Sequence, residues 1–258
     1  METTNRFNVK RFLLLLRNDL FCNYRTLLIG AGTVAAIYFI ATLAPLIFSQ
    51  RSVDSDFHSG FFPAALYICG FLLSAAAFSE IHHSQKNTAF FMLPATRLEK
   101  LASRLLLTTI GFVVIGIIFY FLLNLLSFLI AALFSTAQFS LFNPFSREML
   151  LTIAVYLVAQ SLFLFGGIYF KSHAFMKTGL ALFGFAVATA LFSAIIFRIV
   201  YHDFFYHMQV MDNYLAHDFI YLEDFSKTLF SIAKYLFWLA LAPFFWMLSY
   251  IRLGEKEV

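Results

Sequence analysis

Apolar residues run along this chain in long blocks separated by short polar intervals. Six blocks reach the ~20 residues that a helix needs to cross hydrocarbon. They are Leu27–Phe48, Phe61–Phe78, Leu105–Phe134, Met149–Phe170, Thr178–Phe197 and Leu229–Tyr250. The third is longer than the requirement and predicts a helix that tilts or projects. Pro45 and Pro243 fall toward the ends of their blocks, where a missing backbone donor costs less. Ahead of the first block, residues 6–23 place Val9, Phe12, Leu13, Leu16 and Leu20 at helical spacing, with Lys10, Arg11, Arg17 and Asn18 across much of the other side. A basic amphipathic helix of this kind suits the headgroup region of an anionic leaflet. Leu14, Leu15 and Phe21 dilute the contrast, so a plain helical extension of the first span stands as the alternative. The pattern predicts an all-α membrane protein: six transmembrane helices with an N-terminal amphipathic interfacial helix, in one transmembrane domain over 1–258.

The polar interval at 79–104 differs from an ordinary connection. Ser79, Glu80, His82, His83, Ser84, Gln85, Lys86 and Asn87 form a polar island after an apolar run. Pro94 then disfavours helical geometry at Leu93. Thr96-Arg97-Leu98-Glu99 reads as a capping box, in which hydroxyl and carboxylate each take the other residue's backbone N–H. A cap of this kind is worth ~1 kcal/mol and fixes where the next helix begins.

Composition supports the membrane assignment, with 61% hydrophobic and 12% charged residues and a formal charge of +4. Where those charges fall predicts orientation. Lys and Arg gather before the first span, in 79–104, at Lys171 and Lys177, and in the tail at Arg252 and Lys256. The opposite side holds only Arg51, Arg147, Arg198, Lys227 and Lys234. The positive-inside rule therefore predicts that both termini and the 79–104 connection are cytoplasmic. Small residues four apart, Gly70/Ser74, Gly184/Ala188 and Ala190/Ala194, allow close helix approach within one chain or between two. Cys22 and Cys69 fit neither a CxxC nor a zinc spacing, and the predicted topology separates them. The connection 198–228 mixes Asp203, Asp212, Asp218, Glu223 and Asp224 with many aromatics and reads as an external interfacial cap. Its His202, His207 and His217 match no strong metal motif.

The candidate chemistry is sparse. No phosphate-binding G-x-x-x-x-G-K-[ST] loop occurs, nor any Gly-Lys dipeptide, H-E-x-x-H or G-x-S-x-G. His82 and His83, as neighbours, point to different helix faces and make poor joint ligands. Asn124 and Gln160 are the notable uncharged polar residues inside spans; they are candidates for a substrate path, with interhelical hydrogen bonding the commoner use of such groups. Ionisable groups at mid-membrane, which proton-coupled transport uses, are nearly missing. An energy source is expected in another chain.

The stretch FSEIHHSQKNTAFFMLPATRLEKLASRLLLTT, above all LPATRLEK followed by a small residue and Arg104, resembles the cytoplasmic connection between the second and third spans of ABC-2 type transporter permeases. The tail IRLGEKEV is similar to the charged tail of bacterial members, and the predicted layout matches across nearly the whole chain. The resemblance implies a non-catalytic, multi-pass subunit of the cytoplasmic (inner) membrane. It implies pairing with a second permease copy or a homologous permease, and with a separate ATP-binding subunit that holds the ATP and Mg. No cofactor is expected in this chain, and no nucleic-acid partner. It implies that 79–104 is the coupling element: Glu80, His82, His83 and Lys86 contact the ATPase, and Pro94, Thr96 and Glu99 shape the surface. Arg97, Lys100 and Arg104 would pair with partner acids or lipid phosphates. Export of an amphiphilic, lipid-like or peptide cargo by alternating access is the expected activity. An ATP-independent secondary transporter or a non-transporting scaffold is the competing expectation.

Overall fold

Helix α1 (Val9–Ser49) runs unbroken through the segment expected to lie flat and on through the first apolar block. The predicted interfacial helix is thus not a separate element. No proline or glycine interrupts the chain between Asn8 and Leu28, so nothing forces a bend there. The computed structural model describes residues 7–49, 55–82, 88, 90, 92–134, 140–200, 231 and 234–256. Most of the connection 198–228, expected to be external, lies outside these residues, as do His83 and Lys86.

Among the described residues six helical stretches are long and apolar enough to cross a membrane, an architecture compatible with a multi-pass membrane protein. α2 covers Ser55–Ala76 and ends in a 3₁₀ turn at Ser79–His82. Pro94 precedes α3 (Arg97–Leu106), which passes through a π-helical turn at Leu107–Gly111 into α4 (Phe112–Phe134). α5 (Arg147–Tyr169) begins at Ser146, whose hydroxyl accepts the Met149 N–H. A short connection containing His173 in left-handed conformation (φ 51°) turns the chain into α6 (Ala174–Val200). The last stretch opens with a second π turn, Leu236–Ala240, and continues as α7 (Leu241–Glu255).

α5 is the central helix. It packs against α2, α6 and α7, and buries Tyr156, Gln160, Leu164 and Ile168 completely. Two glycines make the α2–α5 contact close. The Tyr156 ring occupies the space over Gly70, and a Cβ on Gly167 would come within 2.6 Å of the Ala75 carbonyl oxygen. Gly70 and Ser74 thus serve the close approach expected of them. Gly184 lies in the part of α6 that is exposed, with no heavy atom within 4 Å of its would-be Cβ.

Two clusters of buried side chains share the interior. One joins Tyr38, Phe62, Leu66, Tyr120 and Phe142 with neighbours from α1, α2, α4 and α5. The other joins Phe78, Ile81, Phe90, Leu101, Ile168 and Leu253 at the opposite end of the bundle. α1 and α3–α4 run side by side in the same direction: Asn8 meets Glu99, Asp19 meets Arg104, and Tyr38 meets Asn124.

Candidate functional site

The polar interval between α2 and α3 folds into a knot centred on Arg104. Its Nη2 lies 2.9 Å from Asp19 Oδ1 on α1 and 2.9 Å from Glu80 Oε2 in the 3₁₀ turn. Nη1 donates to the Ala77 carbonyl at the end of α2. The rings of Phe78 and Phe90 stand 5.9 and 5.8 Å from the guanidinium carbon. One planar fork thereby serves acceptors on three elements, a geometry that lysine does not reproduce. The Ser103 hydroxyl adds a weaker contact to Asp19 Oδ2 at 3.5 Å.

Glu99, wholly buried, organises the start of α3. Its Oε2 accepts the Thr96 N–H at 2.8 Å, and the Thr96 hydroxyl accepts the Glu99 N–H at 3.3 Å, so the capping box predicted from sequence is formed. Its Oε1 accepts the Asn8 N–H at 2.6 Å and the Arg11 Nη2 at 3.2 Å. The same carboxylate therefore caps α3 and satisfies an orphan donor at the first turn of α1.

His82 ties the knot to the end of the chain. Its Nε2 is 3.0 Å from the Gly167 carbonyl oxygen and its Nδ1 is 3.3 Å from Lys256 Nζ. With Lys256 as an ammonium donor and the carbonyl as acceptor, these two contacts suit a neutral imidazole carrying its hydrogen on Nε2. Lys256 also donates to the Ile168 carbonyl at 2.6 Å. Burial, with Arg252 and Lys171 nearby, lowers the Lys256 pKa. The described ends of α1 and α7 thus meet the 79–104 connection at one end of the bundle.

Several of the residues expected to face a partner make contacts within the chain. Glu80, His82 and Glu99 are held by groups of the chain itself, and Lys100 is buried with its ammonium 5.1 Å from the Phe90 centroid. The reason is local supply: opposite charges and backbone groups within hydrogen-bond reach satisfy these polar atoms without a partner. Pro94 stands outward, and Arg97 is exposed with its guanidinium lying over Gly254 of α7. Beside them are Met92, 78% exposed, and Leu98, 54% exposed, two apolar residues that polarity-based reading passes over.

A second knot closes the opposite end. Asn124 donates from Nδ2 to the Tyr38 hydroxyl at 3.3 Å and accepts the Phe142 N–H on Oδ1 at 3.0 Å. His58, buried, places Nδ1 2.9 Å from the Tyr120 hydroxyl and Nε2 3.0 Å from the Ser140 carbonyl oxygen. Asn124 Nδ2 also lies 3.2 Å from His58 Nε2, so the ring joins α2, α4 and the segment before α5 in one network. The segment before α5 is thereby pinned onto α2 and α4. Sequence reading missed His58, because a lone histidine at the start of an apolar block carries no spacing signal.

Between the knots lies the π turn, where the Phe112 N–H reaches back five residues to the Leu107 carbonyl. The Tyr156 hydroxyl donates to the Thr108 carbonyl at 2.7 Å, and Gln160 Nε2 donates to the Thr108 hydroxyl at 2.8 Å. Gln160 Oε1 has no hydrogen-bond partner. Asn124 and Gln160, the candidate substrate-path residues, are thus both buried in helix-to-helix contacts. Among the described residues no group of three or more His, Cys, Asp or Glu side chains is placed to hold a metal.

Comparison with protein-family models, with curated proteins and with solved structures finds no match.

Proposed function

We propose that this chain is the membrane-spanning subunit of an ABC-2 type exporter, resident in the cytoplasmic membrane and driven by a separate ATPase that binds ATP and Mg. The observation that carries the reading is the construction of the connection between α2 and α3. It is capped by Thr96 and Glu99, and bolted to α1 and α2 through Arg104. It continues through the π turn into the third span while presenting Met92, Pro94, Arg97 and Leu98 outward. A passive connection needs none of this. A stiff element with an exposed apolar and basic tip suits the receipt of force from a soluble partner.

In this reading Glu80, His82, Glu99, Lys100 and Arg104 form the frame, and the Met92–Leu98 tip makes the contact, with His83 and Lys86 beside it in the sequence. Both termini and the connection are cytoplasmic, as the positive charges predict. Nucleotide binding in the partner pushes the tip, α3 transmits the push to α4, and an amphiphilic cargo leaves along the spans of two permease copies.

The test is co-purification of the chain with ATP-binding subunits from its own cell, followed by ATPase assays of the reconstituted pair. Association is expected, with turnover that changes when the permease is present. Met92→Glu with Leu98→Glu is expected to weaken association at least tenfold while membrane insertion stays intact. Failure of the wild-type chain to bind or alter any such ATPase favours the secondary-transporter or scaffold reading.

A further inference from the structure

At the end of the bundle that holds the Arg104 knot, most acids lie inside and several cations lie at the surface. Its acids turn inward: Asp19 and Glu99 are buried, and Glu80 is held by Arg104. Arg104 and Lys100 are buried with them, while other cations of this end turn outward. Lys10, Arg17 and Arg25 are exposed along α1 at near-helical spacing, with Leu13, Leu14 and Phe21 exposed between them. The Arg17 guanidinium lies 5.4 Å from the Phe21 centroid. That of Arg25 lies 5.8 Å from Tyr24, with Nε donating to the tyrosine hydroxyl at 3.0 Å. Further round the bundle, Lys177 stands 6.0 Å from the Phe170 ring and Arg252 stands 5.4 Å from Tyr169. The exposed Glu255 is paired with Arg252. Among the described residues, every cation–ring pair is at this end.

Exposed leucines and phenylalanine beside cations that, Arg252 apart, have no ion-pair partner among the described residues fit neither bulk water nor hydrocarbon. The headgroup layer takes both, since rings and leucines enter the acyl boundary while long cationic side chains reach the phosphates. We propose that these outward cation–ring pairs form a girdle that binds the headgroups of acidic phospholipids and fixes the depth of the bundle in that leaflet. The inward turn of Asp19, Glu80 and Glu99 is what makes it selective. Were those carboxylates exposed, the face would be of mixed sign and would not prefer an anionic lipid. This inference is independent of the transporter reading.

The test uses the full chain in nanodiscs of phosphatidylcholine with a minority of phosphatidylglycerol, counting retained lipids by native mass spectrometry. Wild type is expected to retain phosphatidylglycerol beyond its share, and the preference is expected to shrink as salt rises. Arg17→Gln, Arg25→Gln and Lys177→Gln together are expected to lower the preference about fivefold per cation, about a hundredfold in all. Arg147→Gln with Arg198→Gln, at other sites, is expected to leave it unchanged. Absence of any preference in wild type, a preference that salt does not touch, or equal retention by the triple variant overturns the proposal. If the triple variant does not fold, the wild-type salt series still decides. A triple variant that changes only oligomeric state, with lipid retention intact, assigns the face to a second copy and also overturns it.

Discussion

Glu99 and Arg104 each hold several elements with one side chain, and that economy makes them the sensitive positions. Thr96→Val removes one half of the α3 cap and is expected to cost about 1 kcal/mol in unfolding of the detergent-purified chain. Glu99→Ala removes the other half, frees the Asn8 amide and leaves Arg11 without its carboxylate, so a loss of about 3 kcal/mol is expected. Equal losses would mean that the tie from α3 to α1 contributes nothing. Arg104→Lys keeps the charge but not the fork. With two carboxylates and a carbonyl to serve, the compact ammonium is expected to cost about 2 kcal/mol or more in the same assay. The capping box was legible from Thr96 and Glu99 alone, because cap and carboxylate are three residues apart and the rule is local. The second use of Glu99 was not, since its partners Asn8 and Arg11 lie some ninety positions away. Asp19 was hidden in the same way: within a basic segment it looks like a solvated acid, and only the fold brings Arg104 to it.

Elements were easier to foresee than their joints. The apolar blocks located the six helices among the described residues that are long and apolar enough to span, because hydrocarbon thickness sets a length that sequence must meet. The break expected between an interfacial helix and the first span did not appear, since polarity changes along α1 without any residue that ends a helix. The small-residue pairs carried no partner information, and the fold separates them. Gly167→Ala pushes a methyl against the Ala75 carbonyl of α2 and is expected to cost about 1–3 kcal/mol. Gly184→Ala, with open space around it, is expected to be neutral. Thermal unfolding of the two variants side by side checks this, and equal losses would move the close contact elsewhere. The π turn left no trace in the hydrophobic pattern, because Leu107–Gly111 reads as ordinary apolar helix. One extra residue there opens a wide step, onto which Tyr156 and Gln160 of α5 close. Such steps are frequent at functional sites, and this one sits where α3 must pass any movement to α4.

At the scale of the whole molecule the two polar knots stand about one hydrocarbon thickness apart. From Asp19 to Tyr38 helix α1 rises roughly 28 Å, and from Arg104 to Asn124 the parallel helix rises roughly 30 Å. Both spans equal the ~30 Å of a bilayer's hydrocarbon, so the buried ionic groups and the His58–Asn124 network bracket the apolar layer and do not sit within it. Arg25, beyond Asp19 along α1, faces outward and has the reach to snorkel back. The described α1 from Val9 to Asp19, with α3 against it, then projects past the hydrocarbon on the side of the connection. Which side that is decides whether an ATPase can touch the Met92–Leu98 tip. Leu98→Cys marks the tip and Phe145→Cys marks the opposite end, each in a chain carrying Cys22→Ser and Cys69→Ala. In right-side-out vesicles a membrane-impermeant maleimide is expected to label the Phe145→Cys chain at once and the Leu98→Cys chain only after permeabilisation. The reverse order would put the connection outside the cell. The capped tip would then have no access to cytoplasmic ATP-binding subunits, whatever its sequence resembles, and Arg104 and Glu99 would be left as the frame of an external structure.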